Sequence, residues 1–171
     1  MSATRPDEVP GGVATSTRYV ILTMGALRLL IPQNQVYALE PSIDVLHQAG
    51  EDVGWIDVAG GRWPVCCLSQ DLSPVREIPT GRSICVLLHM DGGLFGVLCD
   101  QVVMLGHQTA VDWLPVPECM RTPTMRLRGL VLDGEQVLCV VSAQDLLAGI
   151  GVAQQSAEPA HRGPLMQGRT A

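Results

Sequence analysis

At 171 residues the chain has material for one compact domain or for two small units packed together. Hydrophobic residues make up 47% and charged residues only 16%, which is enough apolar side chain for a full core. The net charge of −6 argues against binding to a nucleic-acid backbone, which usually takes a basic patch. All eleven basic residues are Arg, so a Walker-type phosphate loop, which requires Lys, is excluded as well.

Residues 1–17, MSATRPDEVPGGVATST, carry no apolar h-region and read as a disordered tail. A first strand is expected over 18–24, with a turn at Gly25-Ala26 and a return strand ended by Pro32. Residues 34–40 read as a short strand or turn, and 42–48 as a turn of helix. Strands at 54–58 and 63–68 flank Gly60-Gly61 as a second hairpin. The stretch 73–83, SPVREIPTGRS, has two Pro and no periodicity and reads as a linker.

The clearest hairpin signal is 84–105, ICVLLHMDGGLFGVLCDQVVML. Two unbroken apolar runs flank Asp91-Gly92-Gly93, a sequence suited to the positive φ of a tight turn. Residues 111–123 hold three Pro and predict an extended surface connector rather than a central strand. A last hairpin is expected from 127–132 and 136–142 across Asp133-Gly134-Glu135. A short helix over 143–150, closed by Gly149 or Gly151, then leads to a second disordered tail at 151–171.

The chain repeats itself. Shifted by 66 positions, 19–39 lies over 85–105 without a gap, matching Val20 to Val86, Leu22 to Leu88 and Met24 to Met90. With one small gap, 54–72 resembles 129–147, and both copies close on Gln-Asp-Leu. The halves, near 18–75 and 84–147, are each too small to bury a full core alone and are expected to pack on each other. Val20, Leu22, Leu29, Ile31, Val86, Leu88, Phe95 and Val97 are the expected matched core.

Convergent polar groups are scarce. His47, His89, His107 and His161 lack the paired spacing of metal ligands. Five of the six cysteines sit in apolar runs and read as small core side chains. Cys66 and Cys67 are strand neighbours that point to opposite faces, a poor arrangement for a disulfide or a chelate. No catalytic residue and no cofactor or metal site is expected. Without an apolar run of 18 residues, no direct membrane insertion is expected either, and the expected compartment is the cytoplasm. Trp113, in the Pro-rich connector, is read either as covering a core edge or as an exposed anchor for a partner.

This arrangement of YVILTMGALRLLIPQNQVYAL, GWIDVAGGRWPVCCL, ICVLLHMDGGLFGVLCDQV and RGLVLDGEQVLCVVSAQDLL resembles the CheW-like domain of bacterial chemosensory coupling proteins over about residues 18–150. The resemblance implies an all-β fold of two intertwined, five-stranded SH3-like barrels. It implies a non-enzymatic adaptor that bridges the cytoplasmic tips of methyl-accepting chemoreceptors to the regulatory domain of a CheA-type histidine kinase.

By position, the family's valine-rich turn falls on Val36, Tyr37 and Leu39, and its Asn-Leu-Arg-Gly motif on Asp57-Val58-Ala59-Gly60. The motif arginine is therefore Ala59, with Arg62 placed to stand in for it. With Trp113, these make the expected partner-binding set: Val36, Tyr37, Leu39, Asp57, Val58, Ala59, Arg62 and Trp113. The departures point to a diverged member, such as one serving type IV pili and twitching, at receptor arrays or a cell pole through its partners. Two alternatives are a dedicated partner of a single pilus or surface-sensing protein, and a redox sensor acting through Cys66-Cys67 or Cys119.

Overall fold

The structure, a computed structural model, describes residues 17–106 and 112–157. Its strands are β1 (Tyr19–Met24), β2 (Leu27–Pro32), β3 (Val36–Pro41), β4 (Val53–Val58), β5 (Gly61–Cys67), β6 (Ile84–Met90), β7 (Gly93–Cys99), β8 (Gln101–Met104), β9 (Asp112–Leu114), β10 (Gly129–Asp133) and β11 (Gln136–Val140). One helix, α1 (Ala143–Ala157), follows. The central hairpin forms as its sequence requires. Gly92 sits at φ +92°, which closes β6 onto β7, and four consecutive residues of β6, Cys85 to Leu88, are buried.

The strands form two sheets, ordered β8-β1-β2-β11-β10-β9 and β3-β6-β7-β5-β4. Each sheet takes a hairpin from one half of the chain and three or more strands from the other. The exchange is the same in both directions: β8 pairs antiparallel with β1 as β3 does with β6, and β11 pairs parallel with β2 as β5 does with β7. Neither half can complete a sheet from its own strands. This is the physical content of the repeat.

Burial follows the same symmetry. All eight matched positions lie in one cluster, which also takes Leu130, Cys139, Leu146 and Ile150 and so joins both sheets to α1. A smaller cluster fills each barrel. Ile56, Val65, Cys67, Cys85, Leu87 and Leu98 line one, and Leu30, Val131, Leu138 and Val140 line the other. Successive side chains of a strand alternate between the shared core and its own barrel, so every central strand is covered on both faces.

Each sheet curls until its ends meet. In the first, β9 pairs with β10 and the Trp113 ring meets Tyr19 of β1 edge-on, with centroids 6.0 Å apart. In the second, the Leu46 N–H donates to the Trp55 carbonyl (2.7 Å) and the Trp55 N–H to the Leu46 carbonyl (2.9 Å). The repeat explains a glycine at each closure. A Cβ on Gly129 would stand 3.3 Å from the Trp113 ring, and one on Gly54 would stand 3.0 Å from Val45.

Arg82, at the end of the linker, ties the exchange together. It is 7% exposed; its Nη1 lies 3.1 Å from Asp100 Oδ2, and its Nη2 donates to the Leu68 carbonyl at 3.2 Å. Asp100 Oδ2 also accepts the Gly25 N–H at 2.6 Å. One guanidinium thus links the end of the first half to the β7–β8 corner and, through a shared carboxylate, to the β1–β2 turn.

Three local expectations change. The helical turn expected over 42–48 is a single 3-10 turn, Ser42–Asp44, because Leu46 leaves to close the barrel against Trp55. The connector contributes β9, an edge strand, giving its sheet a sixth member. Finally, α1 passes through both expected stops, Gly149 and Gly151, and runs to Ala157, into part of the expected tail. Neither glycine has positive φ. Gly149 serves close packing instead: any Cβ there would collide with the Thr124 carbonyl. The rest of the expected tails, 1–16 and 158–171, lies outside the described residues.

Candidate partner-binding surface

The expected partner-binding residues occupy three places. Val36, Tyr37 and Leu39 lie on β3, one edge strand of the second sheet. Here the register slips: Val36 faces Leu88 and Ala38 faces Leu87, so Tyr37 is a bulge residue with no partner across the ladder. Bulges re-aim a side chain, and this one turns Tyr37 outward, half exposed and edge-on to the His89 ring at 5.3 Å. Leu39 is also half exposed. Val36 differs from the expectation: it packs against the shared core, so Tyr37 and Leu39 carry the open surface.

Asp57, Val58, Ala59 and Arg62 form the β4–β5 hairpin end. Ala59 (φ +50°) and Gly60 (φ +73°) both adopt the left-handed conformation, as a tight two-residue hairpin turn demands. For Ala this costs about 1–2 kcal/mol. Arg62 grips the Asp57 carboxylate with two parallel hydrogen bonds, Nε to Oδ1 and Nη2 to Oδ2, each 2.8 Å. That hydrogen-bonded guanidinium holds the Asp57 carboxyl below its ordinary range and raises Arg62 in turn. Both groups face solvent. Arg62 therefore stands at the hairpin end as half of an ion pair. Val58 is partly buried, and its carbonyl accepts the Trp63 Nε1–H at 3.0 Å.

β4 and β3 stand at opposite ends of the strand order, and Trp113 belongs to the other sheet. Trp113 is half exposed and packs on Tyr19 and over Gly129, so it covers an edge of its own barrel. The sequence reading missed Ile43 and Leu46, exposed between β3 and β4, and Trp55, exposed on β4. The available signal was Ile43 standing alone among Pro41, Ser42 and Asp44, where no strand or helix period calls for an apolar residue.

Five thiols are buried and Cys119 is exposed. Burial pushes Cys66 up to about 11, and Cys85 and Cys99 up to about 12. Burial also raises Cys139, and it raises Cys67 against the opposing hydrogen bond and charge of Arg82. Thiolate chemistry is disfavoured at all five. Among the described residues no group of His, Cys, Asp and Glu is placed to hold a metal, and no helix is long and apolar enough to cross a membrane. His107 and His161 lie outside the described residues.

No protein-family profile matches the chain, and no curated protein matches it in sequence. A solved structure does match in shape: the scaffolding protein TtCheW from Thermoanaerobacter tengcongensis superposes with a TM-score of 0.56 at 14% identity. The match covers 72% of this chain and 87% of that one. At this identity the likeness establishes the fold, which is CheW-like: mostly β, two sheets and one helix.

Proposed function

We propose that this chain is a non-enzymatic adaptor that couples chemoreceptor tips to the regulatory domain of a CheA-type histidine kinase, in a chemotaxis or type IV pilus system. The carrying observation is the pair of exposed edges on a rigid frame. Tyr37 and Leu39 stand out from a bulged edge strand, and Asp57–Arg62 caps a hairpin that the barrel holds in place. Edges and grooves of this kind recognise protein partners. The fold shared with a scaffolding protein supports the same reading.

The test is a pull-down with the full chain as bait, followed by identification of captured kinase or receptor. Tyr37→Ala should weaken capture by about 1–3 kcal/mol, as loss of an aromatic anchor does. Leu39→Glu should weaken it at least as much and is a cleaner probe than Val36→Glu, since Val36 also supports the core. Intact capture by folded Tyr37→Ala and Leu39→Glu proteins would sink the edge assignment.

Ala59 favours a second reading, in which the chain serves one dedicated pilus or surface-sensing partner. The hairpin offers a methyl group and an ion pair where the family carries an arginine. Gain of capture of a conventional kinase by Ala59→Arg would argue for the array role; no gain would favour the dedicated partner. The redox reading is tested by native thiol titration. Cys119 should react before unfolding, which leaves it the thiol through which such a sensor would act, and rapid reaction of Cys66 or Cys67 would favour a sensor at that pair.

A further inference from the structure

β3 and β8 are the two copies of one edge strand. Gln35-Val36 falls on Gln101-Val102 in the repeat, and β3 pairs antiparallel with β6 as β8 does with β1. The two ladders begin alike. Val36 faces Leu88 as Val102 faces Leu22, and both valines pack against the shared core. One residue later they part. β8 keeps its register, so Val103 faces Ile21, whereas in β3 it is Ala38 rather than Tyr37 that faces Leu87. Two steps along β3 lie opposite one step along β6, and the surplus residue is Tyr37.

The copies differ in what holds the residue just before the bulged stretch. Gln35 closes the 3-10 turn Gln33–Gln35, and its Oε1 accepts the Ala143 N–H at 2.8 Å, 108 residues away in sequence. That N–H belongs to the first turn of α1, whose donors have no partner within the helix. Gln101 meets no such donor. The repeat places Ser69 where Ala143 stands, no helix forms there, and the Ser69 N–H is bonded to the Ser73 carbonyl of its own loop at 2.9 Å. Gln101 is exposed.

The entry to β3 is therefore held at two points, Gln35 on α1 and Val36 in the shared core. Beyond the bulge, Ala38 packs against the barrel cluster. In a regular strand Val36 and Ala38 would share a face. With one residue squeezed out they reach the core and the barrel respectively, and Tyr37 turns outward onto His89.

We propose that Gln35 is a positioning residue for the partner-binding edge: by fastening the start of β3 to the N-terminus of α1, it sets the bulge that presents Tyr37. The proposal rests on the adaptor reading for the use of that edge. It makes the first turn of α1 a lever on partner binding.

The test compares three variants of the full chain. Nuclear Overhauser contacts read the register directly, since an Ala38–Leu87 cross-strand contact marks the bulge and a Tyr37–Leu87 contact marks its loss. Gln35→Leu removes the acceptor and should show the second. Gln35→Glu should show the first, because a carboxylate accepts the same N–H and is favoured at a helix N-terminus. Tyr37→Val should also keep the Ala38–Leu87 contact. A bulge that survives Gln35→Leu, or is lost in Gln35→Glu, overturns the proposal. So does its loss in Tyr37→Val, which would assign the bulge to the bulk of the tyrosine.

Binding to a purified CheA-type regulatory domain then separates the two claims. Gln35→Leu should weaken it by about tenfold, as loss of an aromatic anchor does. Combined with Tyr37→Ala it should weaken it no further than Tyr37→Ala alone, because the two changes act through one side chain. A Gln35→Leu protein that has lost the bulge yet binds like the unaltered chain refutes the positioning role and leaves the adaptor. An unaltered chain that captures neither kinase nor receptor refutes the adaptor, while the register result, read without a partner, still decides what makes the bulge.

Discussion

The Gln-Asp-Leu motif occurs twice and folds in two ways. At 144–146 it opens α1. Ser142 Oγ accepts the Asp145 N–H at 3.1 Å, and the Asp145 carboxylate accepts the Ser142 hydroxyl at 2.7 Å and its N–H at 3.3 Å, a reciprocal cap on the first turn. At 70–72 no helix forms. The Asp71 carboxylate takes the hydroxyls of Ser69 and Ser73, and Leu72 adopts φ +62°, rare for a non-glycine residue. The cause lies just downstream. Ser73-Pro74 denies the first copy a helix, since Pro lacks the N–H and pushes the residue before it out of the helical region. Leu147-Ala148 lets the second copy continue. Yet Leu72 and Leu146 are buried in the same core. Packing preserves the destination of the side chain and leaves the backbone route to local sequence.

The hairpin ends diverge in a complementary way. Asp57 faces Arg62 in the first half, and Leu132 faces Val137 in the second, both pairs exposed and each one step from the turn. The frame tolerates an ion pair or an apolar pair there because neither contributes to a core. These are the positions at which the halves are free to acquire different surfaces.

The sharpest way to break the equivalence of the halves lies in their shared core. Leu22→Ala and Leu88→Ala remove matched, fully buried side chains and should each cost about 2–5 kcal/mol in urea denaturation, within one cooperative transition. Two separate transitions would mean that the halves fold independently. Next in size, Arg82→Met leaves the Asp100 carboxylate without its cation and should cost about 3 kcal/mol. A loss below 1 kcal/mol would show that Arg82 is not what joins the exchanged strands.

Smaller effects test the motif copies. Ser142→Ala should cost about 1 kcal/mol through loss of the cap. The same change at Ser69 should leave helix content by circular dichroism untouched. Burial alone would raise the Asp145 carboxyl, but hydrogen bonds from Arg128 and Ser142 outweigh it and hold the group below its ordinary value. The folded state therefore binds this proton less readily than the unfolded one. The stabilisation is complete above about pH 4, near the unfolded value, and is lost as pH falls toward the folded one. Asp145→Asn should flatten that acid limb; an unchanged limb would assign it to other carboxylates. Smallest are the turns. Gly134 (φ +61°) occupies in the second hairpin the place that Ala59 holds in the first. Ala59→Gly should stabilise, and Gly134→Ala destabilise, by about 1 kcal/mol each in thermal melts. Like signs for the two changes would rule out equivalent turns.

The sequence by itself determined the repeat, the hairpins and the matched core, because alternation, turn glycines and unbroken apolar runs are local signals that each half carries twice. The buried cysteines were legible for the same reason. Only the tertiary structure decided which strands pair. Nothing local tells β8 to join β1, or β3 to join β6, and that exchange is what places Arg82 between the halves and packs Val36 against the core. Tertiary packing also carried α1 past Gly149, where contact with Thr124 rather than a helix stop explains the glycine. The surface between β3 and β4 was hidden for a related reason. Leu46 and Trp55 look like ordinary core residues until the barrel closes on a single bridge and leaves them facing solvent.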